Sequence, residues 1–249
     1  MVRCELDEGV LTLTIDRPEK RNALSSLVLE GLAAGLAEAE LDANARVVVI
    51  RGAGKDFCAG ADLAELLESA DRSVEENEQD ALRLGELFIA MRHLPKPVVA
   101  LVRGRALAGG AGLATACDLV LAAESARFGY PEIERGFVPA MVMTMLRRAV
   151  GEKQAFDLVA TGRILTAAEA MVIGLVSRVI PDDDFEAATQ GIIAALASRP
   201  LTAAALTKQL FVDLDGRSFR DSVMLGARVN ALSRTTPEFR MAIASFLDR

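Results

Sequence analysis

Apolar and polar positions alternate at the start of the chain. Val10, Thr12 and Thr14 share one face, Leu11, Leu13 and Ile15 the other, and Asp7-Glu8-Gly9 before them has turn chemistry. Residues 2–15 therefore read as a β-hairpin, ended by Asp16-Arg17-Pro18. Ser25 is a helix-capping residue, and Leu, Ala and Glu follow it at helical spacing to about Asp42. The β-branched run Arg46–Arg51 (RVVVIR) predicts a buried strand, and Gly52-Ala53-Gly54 a loop. A short helix is expected to open at Ala61-Asp62, and an amphipathic one over residues 74–92, closed by Pro95 and Pro97. Val98–Val102 reads as strand, residues 104–112 as a glycine-rich turn into a short helix, and Asp118–Ala122 as strand again. Strand, glycine turn and helix thus occur twice in succession.

The last third is mostly helical in pattern. Thr166 and Glu169 fit a capping box, Leu175–Ile180 a short strand, and Pro181 with Asp182–Asp184 opens a helix ending near Ser198. Pro200 separates this from a helix over roughly residues 202–214, and Pro237 after Thr236 starts the last one. The expected architecture is α/β, with a core over residues 1–190 and a helical region over residues 191–249.

The tract Ala106–Ala123 is apolar apart from Thr115 and Asp118. A charge such as Asp118 costs about 2.5–3.5 kcal/mol at a bilayer centre, and Gly109, Gly110 and Gly112 break helical continuity. Strand, turn, helix and strand is the better reading, and no membrane partner is expected. The opening MVRCELDEGV is acidic and lacks a long apolar run, so the expected location is cytoplasmic. With 249 residues, 51% hydrophobic and 25% charged, the composition excludes disordered, collagenous and disulfide-scaffold classes. The net charge is −7 and no Lys/Arg run exceeds a pair (Lys20-Arg21, Arg147-Arg148), which argues against a nucleic-acid partner. Cys4, Cys58 and Cys117 form no CxxC and read as free thiols. The one histidine, His93, sits beside prolines in RHLPKP and reads as a helix-end or loop residue, so no metal site is expected.

Two features carry candidate chemistry. Two glycine turns each feed a helix, and helix N-termini present unpaired N–H groups. Brought together, they would aim two amides at one oxygen; alternatively the glycines serve only tight turning and packing. Glu132 lies in FGYPEIERG among apolar residues. It is either a partly desolvated acid–base group or an ordinary loop acid. Glu134 would share its face if this segment were extended. Met141, Met143 and Met145 fit either a pliable pocket wall or core filler.

Taken together, RPEKRNALS (17–25), FCAGADL (57–63), GGAGLATACDLVLAAESARFG (109–129), PEIERGFVPA (131–140) and TGRILTAAEAMVIGLVSRVI (161–180) resemble the crotonase superfamily, the enoyl-CoA hydratase/isomerase family, over nearly the whole chain. The resemblance implies a spiral of ββα units with a helical C-terminal region that builds trimers, often paired into hexamers. It implies an acyl-CoA thioester substrate, with coenzyme A as part of the substrate and no other cofactor. The N–H groups of Ala61 and Gly109 would hold the thioester oxygen as an enolate forms. Coenzyme A would run past Arg21, Ala23, Ala59, Ala61, Asp62, Leu63 and Gly110, with Phe246 and Arg249 closing over the adenine end of a neighbouring subunit. Glu132 matches one family glutamate; the position of a second is Gly112, which has no side chain. The chain is thus similar to single-glutamate members such as 3-methylglutaconyl-CoA-type hydratases. Reversible hydration of a trans-2-enoyl-CoA is the expected reaction. The alternatives are Δ3,Δ2-enoyl-CoA isomerisation by one glutamate shuttle, or a non-catalytic acyl-CoA-binding or assembly role.

Overall fold

A computed structural model describes residues 1–248. The hairpin of β1 (Val2–Asp7) and β2 (Val10–Ile15) is followed by α1 (Ser26–Leu41), β3 (Val47–Gly52), α2 (Leu63–Glu68), α3 (Val74–His93) and β4 (Val98–Val102). Next come β5 (Arg105–Leu107), α4 (Gly109–Ala116), β6 (Leu119–Ala123), β7 (Arg127–Gly129) and a 3₁₀ turn over Pro131–Arg135. Then follow α5 (Ala140–Val150), α6 (Glu152–Thr161), β8 (Ile164–Thr166), α7 (Ala167–Val172) and β9 (Arg178–Ile180). The chain closes with α8 (Phe185–Ala197), α9 (Leu201–Asp213), α10 (Phe219–Ser233) and α11 (Pro237–Leu247).

The larger sheet runs β1-β2-β3-β4-β6-β9, antiparallel at β1·β2 and parallel thereafter. The smaller one runs β5-β7-β8. This is the α/β spiral expected from the resemblance, with its helical C-terminal region. Val47, Val48, Val49 and Ile50 are apolar in succession because both faces of β3 are covered there. Val48 and Ile50 enter the core shared with α1, α3 and α4, while Val47 and Val49 pack with Phe185, Ile193 and Ala197 of α8.

Local signals set the helix starts. The Ser25 hydroxyl accepts from Val28 N–H, and Thr166 with Glu169 closes the expected capping box. Thr236 caps α11 with Pro237 in its first turn. His93 is the last residue of α3, and the three thiols are free. The apolar tract resolves into β5, α4 and β6, and among the described residues no helix is long and apolar enough to cross a membrane.

The strand expected over Leu175–Ile180 is shorter, Arg178–Ile180. Gly174 turns at φ +86°, and the Leu175 and Val176 amides both donate to Ala170 O, closing the end of α7 instead of joining a ladder. Residue 190 falls inside α8, whose buried face covers the sheet. Helices α9, α10 and α11 hold no fully buried residue and expose Phe211, Phe219, Met224, Phe246 and Leu247. Lys208 of α9 reaches back to the core, donating to Asp118 Oδ2 and Met91 O at 2.7 Å. Arg249 lies outside the described residues.

Candidate active site

The segment from Phe57 to Asp62 is laced between β5 and residues 21–24. Cys58 N–H donates to Arg105 O and Leu107 N–H to Cys58 O, both at 3.0 Å. On the other side, Ala59 N–H donates to Arg21 O, Leu24 N–H to Gly60 O and Asp62 N–H to Leu24 O, at 2.8–3.0 Å. This alternation turns the Ala61 N–H away from Leu24, and among the described residues it has no hydrogen-bond partner. Asp62 then caps α2 through Ala64 N–H and pairs with Arg17 at 2.9 Å; that guanidinium holds the carboxyl below its usual range.

The second turn is set by Ala108. Its N–H donates to Gly129 O at 2.8 Å, and its backbone is held at φ +50°, ψ −128°, a conformation L-residues rarely adopt. The next residue, Gly109, is the first of α4, so its N–H has no intrahelical acceptor. A β-carbon on Gly109 would lie 3.9 Å from Ala61 N, and one on Gly60 3.6 Å from Gly109 N. The two turns therefore approach each other closely at these free amides. Gly60 sits at φ +104°, and a side chain there would strike Ala108 Cβ at 2.8 Å, so this close approach requires glycine.

Glu132 lies in the 3₁₀ turn after β7, 6% exposed, with its Oε2 buried and without a hydrogen-bond partner among the described residues. Burial raises its pKa, opposed by the residue's own backbone N–H and then by the nearby Arg135 charge. An unpartnered buried carboxylate oxygen is costly unless a ligand completes it. The segment is not extended, so Glu134 does not share this face; it is exposed and 4.0 Å from Arg135.

The remaining glycines have packing roles. A β-carbon at Gly110 would meet Cys58 O at 2.3 Å, and one at Gly112 would meet Val142 Cγ2 at 2.4 Å, with Phe88 Cζ at 3.4 Å. At Gly112, the position the resemblance gives to a second acid, the space is thus filled by a valine methyl from α5. Met141 and Met145 pack against the core, while Met143 is exposed. Arg21, Ala61 and Leu63 are exposed and Ala59 half-buried, leaving an open edge beside the amides, whereas Ala23 is buried. Phe246 is 73% exposed on α11.

Sequence reasoning missed Asn22. Its amide ties Ala53 O and Asp56 O together, and its own φ is +56°. It missed Arg17 and Ala108 as well; only the polar residues within the RPEKRNALS motif hinted at the first two. Two cavities lie apart from the site. One of about 420 Å³ is lined by both bases and acids, among them Arg103, Arg105, Arg127, Asp56 and Asp182, and one of about 780 Å³ lies between α9 and the ends of α3, α4 and α5. Among the described residues no cluster of His, Cys, Asp and Glu is gathered for a metal.

Comparison with known proteins places this geometry in context. A sequence profile described as enoyl-CoA hydratase/isomerase matches residues 5–249. A Thermus thermophilus protein provisionally named an enoyl-CoA hydratase is 42% identical over 246 residues, covering 98% of this chain and 97% of its own. The 2,3-dehydroadipyl-CoA hydratase of Escherichia coli is 41% identical over 177 residues, 71% of this chain and 68% of its own. The crystal structure of an enoyl-CoA hydratase from Mycobacterium smegmatis superposes with a TM-score of 0.94 at 32% identity, covering 99% of this chain and 96% of that one.

Proposed function

The chain belongs to the enoyl-CoA hydratase/isomerase family, and on that premise we propose that it adds water reversibly to a trans-2-enoyl-CoA thioester. The observation that carries this reading is the close approach of two turns with unpartnered amides, Ala61 and Gly109, in a fold that also buries Glu132 with a free oxygen. The thioester oxygen sits between the amides, which stabilise the negative charge that develops on it. Glu132 accepts a proton from water as the water oxygen bonds to Cβ. It returns that proton to Cα as the enolate collapses, regenerating the carboxylate. A carboxyl with a burial-raised pKa suits both halves of this cycle.

A second reading is favoured by one observation. Val142 fills the space beside Gly112, so water is not gripped by two acids there. A single glutamate can instead carry a proton between Cα and Cγ, which is Δ3,Δ2-isomerisation. Incubation with crotonyl-CoA and with a 3-enoyl-CoA separates the two. Loss of conjugated-enoyl absorbance from the first supports hydration, and its appearance from the second supports isomerisation. Binding of both with turnover of neither would overturn the enzymatic reading in favour of an acyl-CoA-binding role. In this reading coenzyme A lies along Arg21, Ala59 and Leu63, and the exposed apolar residues of α9, α10 and α11 pack in a trimer or hexamer.

A further inference from the structure

Thr115 and Tyr130 are not part of the site as described, yet they join its two halves. Thr115 Oγ1 lies 2.7 Å from Ala111 O and 2.8 Å from Tyr130 Oη. A carbonyl only accepts, so the one threonine proton goes to Ala111. Tyr130 must then donate its phenolic proton to Thr115. Tyr130 is fully buried, and this is its hydroxyl's partner among the described residues. Thr115 is on α4, the helix that begins with the Gly109 amide, and Tyr130 precedes the 3₁₀ turn that carries Glu132. At the other end of α4, Ala108 N–H donates to Gly129 O at 2.8 Å. Residues 129–130 are thus fastened to α4 at both of its ends, and no side chain caps the turn that follows.

We propose that Tyr130, through Thr115, is a positioning residue that holds the Glu132 turn in register with the Gly109 amide. This rests on the function proposed above. Reaction geometry is steep: a displacement of about 1 Å can cost ~10²-fold in rate. Removing the bond leaves the Gly129 tether, so Tyr130→Phe is expected to lower kcat about tenfold with KM within about twofold. Phenylalanine leaves no buried donor behind, and Thr115 keeps its bond to Ala111. Thr115→Val instead strands the Tyr130 hydroxyl and costs more. Thr115→Ser keeps both bonds and rescues, and the Tyr130→Phe/Thr115→Val pair is less impaired than the sum of its single changes.

A rate loss alone does not separate positioning from weakened folding, so the second readout is the titration of Glu132. Its neighbouring titratable and charged groups are Tyr130 and Arg135. The carboxyl is followed by ¹³C NMR in free protein, assigned with Glu132→Gln. A loosened turn admits water, so the Glu132 midpoint falls in Tyr130→Phe and stays in Thr115→Ser. Unchanged kcat and midpoint in Tyr130→Phe, whatever its melting temperature, would overturn the proposal. If the wild type turned over no enoyl-CoA, the functional reading would fail, and the NMR midpoint alone would still decide the tether.

Discussion

In the proposed reaction, the burial of Glu132 has two effects that pull in opposite directions. Burial without a partner raises its pKa, which readies it for proton transfer and costs stability. The folded carboxyl binds its proton more tightly than the unfolded one. Stability therefore falls as pH rises from the unfolded pKa, near 4.5, through the raised folded value, and the penalty is complete above it. Glu132→Gln removes that penalty. It should abolish most turnover, by about 10²–10⁴-fold, and make the protein more stable than wild type at pH 8 but not below pH 4.5. Urea denaturation at the two pH values checks the sign. A variant equally stable or less stable at pH 8 would contradict it. Ala108 is the other residue under tension. Strained conformations of this type cost about 1–3 kcal/mol; glycine relieves the strain but loosens the unfolded chain. Ala108→Gly should gain about 0.5–1 kcal/mol in denaturant melts with turnover retained.

At the scale of elements, the packing of α5 on α4 leaves little room for a side chain at Gly112, where the family resemblance puts a second glutamate. Their contact is made by Val142 against the bare backbone at Gly112. Gly112→Ala should cost about 1–3 kcal/mol by overpacking, and Val142→Ala in the same chain should recover most of it. Additive losses in denaturant melts would show that the two do not compete for one space. Elements with their own local signals were legible from the chain: the alternating hairpin, the Ser25 and Thr166 caps, the RVVVIR strand and the Pro237 start. The small sheet of β5, β7 and β8 was not, because three-residue strands have too few positions to show a period. Likewise Leu175 and Val176 look like strand, yet their amides serve the end of α7. The site was legible mainly as motifs. Glycine spacing hinted at two turns. That one of these glycines frees an amide, another permits close approach and two others merely pack depends on contacts distant in sequence, such as Gly110 with Cys58.

At the scale of the whole molecule, the sheet-bearing core is covered on both faces, while the C-terminal helices leave Phe219, Met224 and Phe246 in the open. The trimer or hexamer proposed above would bury these side chains between subunits. Sedimentation equilibrium should return three or six chain masses; a monomer at micromolar concentration would contradict this. In the proposed reaction, two amides from separate turns and one buried carboxylate act on a single thioester. A crystal structure with acetoacetyl-CoA tests it most directly. The thioester oxygen is expected about 2.7–3.1 Å from both Ala61 N and Gly109 N, with Glu132 facing the Cα–Cβ bond. A thioester bound elsewhere, or an oxygen held by only one of the two amides, would contradict it.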